Sequence, residues 1–287
     1  MRIRRGSGFT PLMKLPLVFL GLAAASSLVA APAPQLVRQW ETEPVLKVPE
    51  GVLFDAERQV LYVSNVDGAD PWAKDDAGSV AKVGLDGRVM AAEWITGLHA
   101  PKGMARVGNR LFVADLDHLV VIDLDRGAVR ERLPVPGALR LNDVSADDAG
   151  VVYLTDSQTG ELHQWKDGRF SVRSKAFRFP NGVRAAGGKV YVLDQDTLYR
   201  LDGDSEPAVV AQGLKGHVDG VEPVEDGFLV TCWEGVIYHV DGGGKVTTLL
   251  DTRAEKVNAA DPGWDAKQRI LYVPTFWRNS VVAYQLK

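Results

Sequence analysis

Short apolar runs alternate with polar turn clusters along this chain, and the alternation has a long period. Each unit opens on a polar residue followed by a small or turn residue, and an apolar strand comes soon after. The units read Glu50-Gly51 before Val60–Val63, Lys102-Gly103 before Leu111–Val113, and Asn142-Asp143 before Val151–Leu154. They continue with Asn181-Gly182 before Val190–Leu193, Asp219-Gly220 before Phe228–Val230, and Asp261-Pro262 before Ile270–Val273. From Lys102 onward the lead residues recur roughly every 40 positions, the period of a four-stranded propeller blade. The longer first interval marks an insertion in blade one, over Asp67–Asp76 with Pro71-Trp72 at its middle.

The pattern predicts an all-β, six-bladed β-propeller. In the fourth unit, Pro180–Val183 opens an inner strand, Val190–Leu193 is the second, Thr197–Leu201 the third and Ala208–Ala211 the fourth. Second strands are apolar almost throughout, as expected between stacked blades. Third strands such as Leu198-Tyr199-Arg200-Leu201 alternate, which predicts a partly wet position. Asp86-Gly87, Asp167-Gly168 and Asp241-Gly242 are expected to supply the positive φ of tight hairpins. The last unit has only three strands, so Leu36–Trp40 is expected to add the fourth and close the ring. The residues alone leave a β-sandwich, or a seven-unit ring with one degenerate blade, as alternatives.

The first thirty residues stand apart. Arg2, Arg4, Arg5 and Lys14 precede the apolar run Leu15–Leu20, and small residues lead to Ala30-Ala31. This is the pattern of a secretory signal peptide over residues 1–31, with one propeller domain over 32–287. An uncleaved N-terminal anchor is the alternative, but the apolar run is short for a membrane span. The expectation is a bacterial periplasmic or secreted monomer without stable membrane insertion after cleavage. A lone Cys232 excludes an intramolecular disulfide, and the net charge of −4 gives no basic footprint for nucleic acid.

In a propeller, one register position repeated in every blade forms a ring around the axis. Glu50, Asn142, Asn181 and Asp219 would then meet at the channel mouth, offering two carboxylates and two amide oxygens. Such donors suit Ca²⁺, which takes six to eight oxygens. Zn²⁺ draws in imidazole or thiolate more readily, although Zn²⁺, Mn²⁺ and Mg²⁺ stay open. Against this, Asn-Gly and Asp-Gly are also ordinary turn pairs.

The order and spacing of these short motifs resemble the gluconolactonase/regucalcin (senescence marker protein) family of six-bladed, metal-dependent hydrolases, from about Pro49 to the C-terminus. Pro49-Glu50-Gly51 is similar to the family's opening glutamate ligand, and Pro180-Asn181-Gly182 to its Asn-Gly ligand turn. Arg140-Leu141-Asn142-Asp143 is similar to its Arg-x-Asn-Asp segment, which contacts substrate and, through the Asn, often metal. Val218-Asp219-Gly220 resembles the turn whose Asp is ligand and proposed general base. The resemblance implies hydrolysis of a lactone or related ester. It places Asp219, Asn142 and Arg140 in catalysis, Glu50, Asn181, Asp219 and Asn142 on the metal, and Arg140 and Asn142 around the small-molecule substrate, where Lys102 is also expected from its place in the ring.

Three features depart from the family. Val52-Leu53-Phe54 replaces its Ser-Pro-x-Trp opening, the insertion around Trp72 is additional, and Lys102 stands in the ring, where a cation competes with a metal unless it pairs with Glu50 or Asp261. These departures favour the other functional class, a non-catalytic propeller that binds a ligand or protein partner around a structural metal. His217 is a rival to Asp219 for the proton of water, Trp72 is either a lid or packing, and Cys232 is expected to be inert core.

Overall fold

A computed structural model describes residues 1–3, 6, 8, 33–203 and 205–287. The signal peptide expected over 1–31 lies outside the described residues apart from those few positions. Pro34–Lys287 forms one compact unit of six four-stranded antiparallel sheets, a six-bladed propeller. Among the described residues no helix is long and apolar enough to cross a membrane.

Five blades are meanders of consecutive strands. Their inner strands are Pro49–Asp55, Pro101–Val107, Leu141–Ala146, Pro180–Ala186 and Val218–Val224. The sixth takes its inner strand from Gly263–Asp265 and its outermost strand from the N-terminal segment Leu36–Glu41, which pairs with Val281–Leu286. The expected closure is therefore present. A second seam joins the same blades at the axis, where Asp261 N–H donates to Glu50 O at 2.9 Å and Val52 N–H donates to Asp261 O at 3.0 Å.

Burial follows position in the blade. The second strand of blade one, Val60–Asn65, is buried at every residue. Third strands vary: Thr197–Asp202 is partly exposed at Tyr199, Arg200 and Asp202, as its alternation predicts, whereas Gly78–Gly84 and Val236–Asp241 are buried at all but one or two positions. The wet, alternating strands are the outermost ones, such as Ala128–Pro134. The turn after Val240 also differs, since positive φ falls on Gly244 (82°) and not on Gly242. There Asp241 accepts hydrogen bonds from Gly243 and Lys245, making a longer loop than the Asp-Gly pair implies. The other two pairs behave as expected, with φ of 85° at Gly87 and 77° at Gly168.

Candidate functional site

The six lead residues lie where the inner strands begin, and the strands are irregular at that point. The register with the second strand breaks between Pro49 and Gly51, Pro101 and Met104, Leu141 and Val144, Pro180 and Val183, and Val218 and Val221. A bulge leaves a residue out of the ladder and re-aims its side chain. The break recurs at the same place, so Glu50, Lys102, Asn142, Asn181 and Asp219 are released together toward the axis.

The glycines after these residues are strand residues, not turn residues, and none of Gly51, Gly103, Gly182 and Gly220 has positive φ. Space is what requires them. A Cβ on Gly103 would lie 2.0 Å from Asp143 Oδ1, and one on Gly220 would lie 2.2 Å from Asp261 Oδ1. Each of these strands thus packs directly on the start of the next blade's inner strand. Blade three has Asp143 in place of the glycine. Its carboxylate accepts from Val144 N–H and Val183 N–H, both at 2.6 Å, and so binds blade three to blade four.

Hydroxyls on the second strands fix the backbone beneath the ring. Ser64 Oγ accepts from Gly51 N–H at 2.8 Å, and Thr231 Oγ1 accepts from Gly220 N–H at 2.9 Å while donating to Ala260 O at 3.0 Å. In blade three, Thr155 Oγ1 donates to Asn181 O at 2.5 Å and Ser157 Oγ to Pro180 O at 2.7 Å. The Asn142 amide nitrogen donates to Ser157 Oγ at 3.0 Å, which fixes the amide.

The ring is crowded with acid. Glu50, Asn142, Asp143 and Asp219 are buried, and Asn181 and Asp261 are half-buried. Burial raises the Glu50 carboxyl, and the charge of Lys102 opposes the rise. Burial also holds Asp219 well above the usual carboxylate range; Glu50 and Asp143 push it further, while Lys102 and a hydrogen bond from Asn181 pull it down. Asp261 is raised by burial and then by Asp143, Glu50 and Asp219. Asp143 reaches about 7, chiefly through burial. Burial is the largest cause in each case, and repulsion from neighbouring carboxylates adds to it at Asp143, Asp219 and Asp261. Glu50 Oε2 is buried without a hydrogen-bond partner.

Lys102 Nζ lies 3.6 Å from Glu50 Oε1, an ion pair longer than a hydrogen bond, with both side chains buried. Above it lies Trp72 from the blade-one insertion, with its ring centroid 4.3 Å from Lys102 Nζ and 5.3 Å from the exposed Arg140 guanidinium. Trp72 therefore covers the mouth, packing against a cluster that includes Val48, Ala100 and Phe276. His217 is 80 % exposed, with Nδ1 against Glu234 Oε1. It lines a cleft of about 430 Å³ with Phe179, Asn181, Gln195 and Asp196, beside the ring rather than in it. Cys232 is buried, which pushes its thiol up to about 12 and keeps it inert.

Deeper in the channel, Glu222 and Arg184 each stand three residues past their blade's lead residue, an offset visible in the sequence but easily passed over. Arg184 Nη2 is 3.0 Å from Glu222 Oε2, off the line that a hydrogen bond needs, so that oxygen stays unsatisfied. Burial lifts the Glu222 carboxyl from 4.5 to about 7, against the pull of Arg184. A group raised in this way stabilises the fold when protonated and loses that contribution as pH climbs from 4.5 toward 7. Melting temperature is therefore expected to fall by about 5 °C between about pH 5 and about pH 8, and by clearly less in Glu222→Gln. Equal slopes in the two proteins would show that Glu222 does not titrate there.

Among the described residues, no three His, Cys, Asp or Glu side chains are grouped to hold a metal ion. The candidate set has only two carboxylates, Glu50 and Asp219, and needs the amides of Asn181 and Asn142 to complete it. That set fits a hard cation. It is all oxygen, one buried carboxylate oxygen has no partner, and the repelling acids would be relieved by positive charge.

No protein-family model matches the sequence, and no curated protein matches it. Solved structures do. A chain of a nidogen/laminin complex is 19% identical, with a TM-score of 0.64 over 76% of this chain and 84% of that one. Virginiamycin B lyase from Staphylococcus aureus is 10% identical, with a TM-score of 0.62 over 88% and 99%. A luciferin-regenerating enzyme is 16% identical, with a TM-score of 0.59 over 84% and 92%. At these identities the likeness is one of fold alone: the chain is a six-bladed propeller.

Proposed function

We propose that this protein is a metal-dependent hydrolase of lactones or related esters. Glu50, Asn181, Asp219 and Asn142 hold a divalent cation, Ca²⁺ in the first instance, at the channel mouth. The observation that carries this reading is the buried Glu50 Oε2, without a hydrogen-bond partner, in a ring whose carboxyls are all raised, chiefly by burial. When bound, such a cation polarises a carbonyl and favours negative charge on its oxygen.

The chain's own residues supply the rest. Arg140, exposed at the rim, and the Asn142 amide orient the substrate oxygens. The cleft beside Asn181 receives the part of the substrate remote from the reacting carbonyl, with Phe179 and Val218 as its apolar wall. Asp219 takes the proton of the attacking water at a carboxylate oxygen, held for that purpose by the Asn181 amide. Trp72 excludes bulk water from the mouth. The leader pattern of residues 1–31 supports a periplasmic or secreted setting.

One observation favours a binding role instead: the Lys102 ammonium already neutralises part of the ring. The two are separated by turnover of a panel of sugar and acyl lactones with calcium and with chelator. Calcium-dependent hydrolysis, lost in chelator and reduced about 10²-fold or more in Asp219→Ala, is expected. Absence of metal-dependent turnover across the panel would leave the binder.

A further inference from the structure

Lys102 is the one buried lysine among the described residues, 3% exposed. A buried ammonium is costly unless compensated, and this one has two sources of compensation. The Glu50 carboxylate lies at 3.6 Å on one side and the face of Trp72 at 4.3 Å on the other. Its charge also acts on Asp219. These are the same two carboxylates that would hold a divalent cation. An ammonium and a divalent ion cannot both occupy that space, because their repulsion would cancel the gain either draws from the acids.

The polar ties of the Trp72 segment lie at the surface: Lys47 pairs with Asp67 at 3.1 Å, Lys74 with Asp117 at 3.1 Å, and His99 with Asp76 at 3.2 Å, and each pair has at least one partner more than a third exposed. Such surface pairs add little, so what chiefly holds the segment down is the indole itself, packed on Lys102 and beside Val48, Ala100 and Phe276.

We propose that Lys102 is a tethered counter-cation that competes with the divalent ion for Glu50 and Asp219, and that Trp72 holds it in the ring. Loading the metal requires the ammonium to leave and the indole to lift, so Lys102 sets the metal affinity of the site. The inference rests on the ring being the metal site, as proposed above.

Calorimetric titration of calcium chloride into wild type, Lys102→Met, Trp72→Ala and Glu50→Gln tests it. Methionine keeps the length of the side chain, suits the indole and removes the charge. Lys102→Met is expected to bind calcium at least about tenfold more tightly than wild type, because the ion pair and the cation–π contact need no longer be broken. Trp72→Ala, which takes the indole face away from Lys102, is expected to tighten binding about threefold. Glu50→Gln is expected to abolish binding. Equal affinity in wild type and Lys102→Met would overturn the inference while leaving the metal site intact. If Lys102→Met does not fold, equal affinity in wild type and Trp72→Ala overturns it instead. Absence of calcium binding in every protein, Lys102→Met included, would overturn both the inference and the metal-dependent function.

Discussion

Removing residues 32–42 is expected to lower the melting temperature by about 15 °C or more, or to prevent folding altogether. The segment supplies the outermost strand of blade six, from Leu36 opposite Leu286 to Glu41 opposite Val282. Backbone bonds continue past the strand at both ends: Gln35 and Lys287 exchange N–H···O bonds at 3.1 and 2.9 Å, and Thr42 N–H donates to Val281 O at 2.9 Å. Trp40 reaches further than its own sheet. It stacks on Tyr272 at 5.7 Å and packs into a cluster with Phe54, Leu85 and Val89 of blade one. Glu41 accepts from Ser280 Oγ and pairs with Arg278 Nε at 2.9 Å. Deletion therefore uncovers the edge of Val281–Leu286 and opens the seam between the first and last blades. Thermal unfolding followed by circular dichroism measures the loss, and an unchanged midpoint would mean that the ring does not depend on this strand.

The blades were legible because their signals repeat. A period near 40 with apolar second strands and Gly-bearing turns admits few other folds, and the three-stranded end of the chain pointed to Leu36–Trp40. The lead residues were legible for the same reason, since one register position read six times becomes a ring. Features that occur once were not. Trp72 sits in an insertion without a period, so its contact with Lys102 and Arg140 depends on a loop path that only the folded chain reveals. The glycines looked like turn formers because Asn-Gly and Asp-Gly carry that meaning locally; their purpose, room for the neighbouring blade's inner strand, is a tertiary fact. Asp143 closed the Arg-x-Asn-Asp segment without a role of its own in the sequence; the fold spends its carboxylate on the N–H groups of Val144 and Val183.

Glu50→Gln should have the largest effect on activity, lowering lactone turnover about 10³-fold or more. The change keeps the size of the side chain, so a loss would reflect charge and not packing. It removes one of only two carboxylates in the candidate ligand set and the counter-charge 3.6 Å from Lys102 Nζ. Alanine would be a poorer choice, because it leaves the ammonium buried beside a hole. The loss should appear in kcat/KM for every lactone that the wild type accepts, whereas Arg140→Ala, at the exposed rim, should discriminate between substrates.

Whether the ring holds a cation at all is decided by thermal unfolding of wild type and Glu50→Gln in millimolar calcium and in chelator. A ligand that binds only the folded state stabilises it by mass action. Wild type is therefore expected to melt about 5 °C higher in calcium than in chelator, with no such difference in Glu50→Gln. Identical midpoints for wild type in calcium and in chelator, with manganese, magnesium and zinc equally without effect, would contradict a metal site at this channel mouth.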